Sequence, residues 1–341
     1  KYLIDLTREI LCLPNDYVVG VVPGSNTGAY EMAMWSLLGS RPVDIFAWES
    51  FGAGWAYDGL EQLKLKNCEI ITAEYGKLPD LSLARVDADI CFTWNGTTSG
   101  VRVPNADWIS ENRKGLTLCD ATSAAFSQDL DWSKLDVTTF SWQKVMGGEG
   151  SHGMIVLGPR AVDQLLSFKP DRPIPKIFRL AKELELNSDI FSGGTLNTPS
   201  MFCVADAIDS LEWMKSIGGL EKLWKLTNAN FTILQDWVDR TPWIENLVED
   251  PTLRSNTSVC LRIIEPSIFS LSVELQYKFV KAFVKSLEKK KAAYDIGGHR
   301  DAPAGLRIWC GATVDPCDIS KLLPWLDWGF EETKFKFFAD N

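Results

Sequence analysis

The sequence predicts an α/β fold, with a large domain built on a mostly parallel sheet flanked by helices and a smaller C-terminal α+β domain. Three observations predict it. Over roughly the first two hundred residues, short apolar runs bounded by Gly, Pro, Asn or Asp alternate with helical patterns, as βα units around a parallel sheet do. Between Ser167 and Thr198 the pattern turns irregular, with FKPDRPIPKIF and FSGGTLNT reading as loop. From Pro199 long helices dominate and strands become sparse, which places a large domain over 1–215 and a small one over 216–341.

The opening KYLIDLTREIL reads as an amphipathic helix. Strands follow at Tyr17–Val22, Val43–Trp48, Glu69–Ala73, Asp89–Thr93, Leu116–Cys119, Val137–Ser141 and Met154–Leu157, each a short apolar run. Helices are expected at Gly28–Leu38, Trp55–Leu65 and Pro159–Ser167. SMFCVADAIDSLEWMKSIGG is a further helix that stops at Gly218-Gly219, and another runs on toward Trp237. Then come a strand at Ser258–Ile264, a helix near Leu271–Lys289, strands at Ala293–Ile296 and Leu306–Cys310, and a last helix over Asp318–Phe330. No internal repeat or low-complexity tract interrupts the series.

Composition narrows the function. The chain has 341 residues, 45% hydrophobic and 23% charged, which is ordinary for a globular protein. It contains no run of eighteen uncharged apolar residues, and its start carries charges where a signal peptide needs an apolar core, so a soluble cytoplasmic protein with no membrane partner is expected. A net charge of -10 argues against a nucleic-acid partner. A small anionic substrate stays open, because screening over about 8 Å leaves the charges of a pocket in control. Eight cysteines without CxxC spacing read as free thiols of a reducing compartment. Two histidines, His152 and His299, supply no HExxH motif, and no GxSxG elbow is present, so neither a metal site nor a serine hydrolase is expected.

Three places carry charge or polarity where a sheet's carboxyl edge falls. In VVPGSNTGAYEMAMW a strand runs into a helix, and the turn's backbone N–H groups, with Ser25, Asn26 and Thr27, form either a phosphate cradle or a simple N-cap. Asp120 ends GLTLCD, either capping ATSAAF or holding a protonated ring nitrogen by a charge-assisted bond. Lys144, in FSWQKVMGGEGSHG, either snorkels from a strand end or keeps a neutral amine, since apolar walls depress an amine's pKa and Schiff-base chemistry needs the neutral form.

Taken in order, PGSNTG at 23–28, WNGTTSG at 94–100, LCDATSA at 118–124, SWQK at 141–144, LNTPS at 196–200 and GHRDAPAGLRI at 298–308 resemble the phosphoserine aminotransferase family, among the fold-type I enzymes that use pyridoxal 5′-phosphate. The resemblance spans essentially the whole chain. It implies that Lys144 is the Schiff-base lysine, that Asp120 pairs with the pyridinium nitrogen, and that Trp55 stacks on the ring. It places Thr97 by the ring hydroxyl and Ser25, Asn26, Thr27 and Gln143 at the phosphate, although some members carry arginine where Thr27 stands. Asn197 and Thr198 match residues that cross from a second subunit, so a homodimer is implied. Arg307 matches the arginine that grips the α-carboxylate, and His299 and Arg300 a pair that contacts the distal anion. The family's other His-Arg pair for the substrate phosphate falls before residue 1 of this sequence.

The implied reaction is amino-group transfer between O-phospho-L-serine and 2-oxoglutarate in serine biosynthesis. Rivals are an alanine or serine–glyoxylate type aminotransferase, whose substrates lack the distal anion, and a noncatalytic protein that kept the scaffold. A nicotinamide-dependent dehydrogenase is the weakest alternative, for want of a fingerprint loop.

Overall fold

A computed structural model describes residues 1–339. After a first helix, α1 (Tyr2–Ile10), the chain winds a seven-stranded sheet from β1 (Val18–Pro23), β2 (Val43–Ala47), β3 (Cys68–Thr72), β4 (Asp89–Thr93), β5 (Thr117–Asp120), β6 (Val137–Ser141) and β7 (His152–Leu157). The strand order is β1-β7-β6-β5-β4-β2-β3, and β7 alone runs antiparallel to its neighbours. Strands β2, β4, β5, β6 and β7 are buried along their whole length, which is why they read as unbroken apolar runs. Helices α2 (Ser25–Leu37), α3 (Ser50–Tyr57) and α4 (Pro159–Ser167) connect or follow them.

The segment expected to be irregular holds a two-stranded ribbon, β8 (Ala181–Lys182) and β9 (Glu185–Leu186), and a short helix, α5 (Ser188–Ser192). It is tied down by Arg172, which donates to the carbonyls of Met34, Trp35 and Leu38 at the end of α2. Helices α6 (Met201–Ser216) and α7 (Gly219–Arg240) lead to a second, antiparallel sheet of β10 (Ile244–Asn246), β11 (Ser258–Ile263) and β12 (Gly305–Trp309), with α8 (Pro266–Phe269), α9 (Val273–Lys289) and α10 (Pro316–Ala339). Its core is aromatic, with the Trp243 and Phe330 rings stacked 4.0 Å apart. Among the described residues no helix is long and apolar enough to cross a membrane. All eight cysteines are unpaired and five are buried.

Several expected boundaries shift for identifiable reasons. No strand forms at Ala293–Ile296, because Lys291 (φ 57°) and Asp295 (φ 52°) take left-handed turns and only Gly297 reaches a bridge, to Leu306. The helix expected to open at Trp55 starts at Ser50, where the Glu49 carboxylate caps it, and ends in one π turn at Asp58–Gln62. Helix α2 begins at Ser25 rather than Gly28, after Gly24 and Ser25 both adopt positive φ. The three-residue strand β10 is too short for a periodicity signal.

One packing constraint fixes the turn at the start of α2. Strand β7 passes it at Gly153, where an added Cβ would lie 2.2 Å from the Ser25 carbonyl oxygen and 2.8 Å from the Ala29 side chain. Gly153→Ala is expected to lower stability by about 1–3 kcal/mol through overpacking. Urea unfolding followed by circular dichroism measures it, and an unchanged midpoint would show that β7 and α2 are not held this closely.

Candidate active site

The carboxyl ends of the parallel strands form a single edge, where open α/β sheets bind ligands. β2 delivers Glu49, β4 leads to Thr97 and Thr98, β5 ends on Asp120, and β6 leads to Gln143 and Lys144. Arg307 on β12 approaches from the second sheet. Thr97, Gln143, Lys144, Arg307 and Trp309 line one cavity of about 400 Å³, closed on one side by the turn 292–296.

Asp120 is buried and its carboxylate is fully engaged on one side. Oδ1 accepts from the Thr122 N–H (3.0 Å) and hydroxyl (2.6 Å), and Oδ2 from the Trp55 indole (3.3 Å). Asn26 adds a further side-chain hydrogen bond, while its own Oδ1 is buried with no partner. Burial raises the Asp120 pKa against these bonds. The other buried aspartates make a contrast: Asp44, Asp89 and Asp136, at the amino-terminal ends of β2, β4 and β6, pair with Arg85, Arg41, and Arg113 plus Arg160. Among the described residues no cation pairs with Asp120.

Lys144 sits half-buried, its ammonium 5.7 Å from the Trp309 ring centroid. Its pKa is lowered, first by burial and then by Arg307, while Asp120, Asp295 and Glu49 pull the other way. The Arg307 guanidinium has Asp295 as its carboxylate neighbour, at 3.8 Å, and that aspartate is itself exposed. Thr97 donates to the Ser123 hydroxyl (2.8 Å), which donates to the Asn95 carbonyl (3.1 Å), so the loop after β4 is pinned to the loop after β5.

The remaining sequence-predicted residues occupy three places. Ser25, Asn26 and Thr27 form the first turn of α2, with Gln143 and Ser25 converging on Gly150, since a Cβ there would lie 3.4 Å from each of their side-chain oxygens. Trp55 packs its ring on Tyr30, 4.5 Å between centroids, as well as bonding Asp120. His299 lies against α3, with Nδ1 3.5 Å from the Ser50 hydroxyl, whereas Arg300 is 88% exposed, with the Asp301 carboxylate 3.8 Å away. Asn197 and Thr198 stay outside the cavity and face solvent, where the Asn197 side chain donates to the Thr198 carbonyl (3.2 Å). Their segment is anchored by the Ser200 N–H donating to His152 Nε2 (3.0 Å).

Three contributors escaped the sequence reading: Trp309, Ser123 and Glu49. Glu49 is buried, accepts from Gly52 and Thr98, and has its pKa pushed up to about 7, chiefly by burial. A charge directly after the apolar run of β2 was its one signal, the same signal that marked Asp120. Among the described residues no cluster of three or more His, Cys, Asp or Glu side chains could hold a metal ion.

Lys144, with its lowered pKa, and Arg307 line one cavity at the sheet edge, and the buried carboxylate of Asp120 ends the neighbouring strand β5; together they suit the handling of amines. The chain belongs to the class-V aminotransferase family, whose model matches residues 83–279. Within it the chain belongs with the phosphoserine aminotransferases. It is 54% identical to the phosphoserine aminotransferase of Methanosarcina barkeri and 52% identical to that of Methanosarcina mazei, each over 97% of this chain and 87% of the relative. The fold is shared with a solved phosphoserine aminotransferase from Cytophaga hutchinsonii (TM-score 0.78, 20% identity, 96% of this chain and 87% of that one). It is shared equally with the alanine–glyoxylate aminotransferase of Nostoc sp. (TM-score 0.80, 16% identity, 96% and 85%), so fold alone does not select the substrate.

The depressed lysine is directly measurable. Cyanate carbamylates only neutral amines, so its pH dependence, read peptide by peptide by mass spectrometry, should give Lys144 a midpoint below that of an ordinary exposed lysine. Arg307→Met removes a neighbouring positive charge and should raise that midpoint. A midpoint unmoved by the substitution would remove Arg307 as a cause.

Proposed function

We propose that this aminotransferase uses pyridoxal 5′-phosphate to exchange the amino group between O-phospho-L-serine and 2-oxoglutarate, giving 3-phosphooxypyruvate and L-glutamate in serine biosynthesis. The observation that carries the reading is the Asp120 carboxylate: buried, hydrogen-bonded on one side, and lacking the cation that every other buried aspartate has. A protonated pyridine nitrogen is a counter-charge of the right sign and shape. The unpartnered Asn26 Oδ1 beside it and the polar first turn of α2 fit the group's polar substituents.

When bound, the pyridoxal group supplies an aldehyde for amines and a pyridinium that accepts electrons from the substrate Cα. The chain's residues do the rest. Asp120 would hold a proton on the ring nitrogen, and Trp55 and Thr122 hold Asp120 in place. Ser25, Asn26, Thr27 and Gln143 would hold the cofactor phosphate, and Thr97 and Trp55 would hold its ring. Lys144 would hold the aldehyde, and its Nζ, an amine of lowered pKa, is suited to act as the base that moves the substrate Cα proton. Arg307 forks onto the substrate α-carboxylate in place of the exposed Asp295, its neighbour at 3.8 Å. His299 and Arg300 meet the distal phosphate or γ-carboxylate, and the exposure of Arg300 lets one pocket take both anions.

The reading includes a homodimer. Asn197 and Thr198 face solvent, and two bulky apolar residues near them, Met201 (67% exposed) and Phe202 (91%), fit a surface covered by a second copy. In the same reading a larger unit, 1–215, carries the cofactor, a smaller one, 216–341, brings Arg307, and unpaired cysteines suit the cytoplasm.

The test is a half-reaction titration followed in the cofactor spectrum. Phosphoserine and glutamate should each convert the spectrum fully, with alanine poorer by about 100-fold or more in second-order rate constant, since it forgoes a charge-assisted contact. Arg300→Ala should narrow the gap between phosphoserine and alanine. Equal reactivity of alanine in the unmodified enzyme would overturn the substrate assignment.

A further inference from the structure

Five carboxylates are buried among the described residues, and Glu49 is, with Asp120, one of two that no cation pairs. Its partners are all neutral donors. Oε1 accepts from the Gly52 N–H (2.9 Å), and Oε2 from the Thr98 N–H (3.3 Å) and the Thr98 hydroxyl (2.7 Å). The first bond caps α3; the other two reach a different element, the turn after β4. A cap alone does not explain glutamate, because Ser, Thr, Asp or Asn caps a helix better and without burying so long an acid. The extra reach is used to join two elements.

What those elements carry gives the join its meaning. α3 holds Trp55, which donates to Asp120, six residues beyond the clamp on the same helix. The turn holds Thr97, next to the clamped Thr98, which lines the cavity and bonds Ser123. Thr98 is also a hub: its hydroxyl lies 3.3 Å from those of Ser50 and Tyr75, and Ser50 in turn lies 3.5 Å from His299 Nδ1. Packing around the clamp is tight, since a Cβ on Gly96 would sit 2.7 Å from the Trp48 indole nitrogen and 3.0 Å from the Glu49 side chain.

We propose that Glu49 is a positioning residue for the reaction: its carboxylate locks the start of α3 to the Thr97–Thr98 turn and so sets Trp55 against Asp120 and Ser50 against His299. The inference rests on the reading above that Trp55, Asp120 and Thr97 face the cofactor. It adds a residue that touches neither cofactor nor substrate and acts only through those that do. Both oxygens act as acceptors in the clamp, so a carboxylate is required; glutamine keeps the cap to Gly52 but turns a donor toward the Thr98 N–H.

The experiment uses the full chain with and without pyridoxal phosphate. In the cofactor-free protein, solvent exchange of the Trp55 indole proton is followed by nitrogen-15 NMR, with Trp237, whose indole donates to Asp327 (3.2 Å) in the other core, as internal reference. Glu49→Ala should speed Trp55 exchange by about tenfold or more and leave Trp237 unchanged, because one buried hydrogen-bonded join is lost. It should weaken pyridoxal phosphate binding and lower kcat by about tenfold each, with KM for phosphoserine moving less than about threefold. Glu49→Gln should fall between wild type and Glu49→Ala. Should Glu49→Ala not fold, Thr98→Val, which exchanges the hydroxyl for a methyl group, must still speed Trp55 exchange by about threefold. Unchanged Trp55 exchange in either variant, or equal acceleration of Trp55 and Trp237, overturns the proposal. A wild-type chain that binds no pyridoxal phosphate would sink the functional reading, whereas the exchange data would still decide the role of Glu49.

Discussion

A carboxylate removed from water without a counter-ion costs several kcal/mol, and this fold concentrates that cost at one edge of its main sheet. At the amino-terminal edge Asp44, Asp89 and Asp136 each sit against arginine. At the carboxyl edge Asp120 and Glu49 have none and are held by neutral donors from Thr122, Trp55, Gly52 and Thr98. The molecule thus keeps an unbalanced negative charge beside a lysine whose own positive charge is disfavoured by burial and by Arg307. In the proposed function a cationic ring that also carries an electrophile for an amine would relieve both imbalances together, giving Asp120 a counter-ion and Lys144 a partner for its neutral amine.

The scaffold exists to hold that arrangement still. Parallel strands buried on both faces bring the ends of β2, β4, β5 and β6 to one line, and short hydrogen bonds between the following loops, such as Thr97 to Ser123, fix their spacing. The second sheet contributes through β12, whose register with β11 sets Arg307 opposite Cys260 and points its guanidinium into the same cavity. The proposed contacts to a distal anion lie on more exposed parts, His299 and Arg300, just after the Gly297 bridge to Leu306.

Much of this was legible in the residues. Strands at Asp89–Thr93 and Val137–Ser141 have the bounds their apolar runs suggest, and Asp120 and Lys144 stand out as charges at the ends of such runs. Glu49 bears the same mark but was passed over, because the glycines Gly52 and Gly54 disguise the helix it caps and Trp55 looked like that helix's beginning. The missing strand at Ala293–Ile296 depends on φ angles that no apolar pattern encodes. Asn197 and Thr198 lie outside the cavity of their own chain, and a sequence says nothing of what a second copy brings to them.

The most direct measurement is borohydride reduction of the protein loaded with pyridoxal phosphate, followed by peptide mass spectrometry. The account predicts one covalent pyridoxyl group per chain, on the peptide that carries Lys144, and its loss in Lys144→Ala. Fixation at another lysine, or none at all on protein that has bound the cofactor, would contradict it.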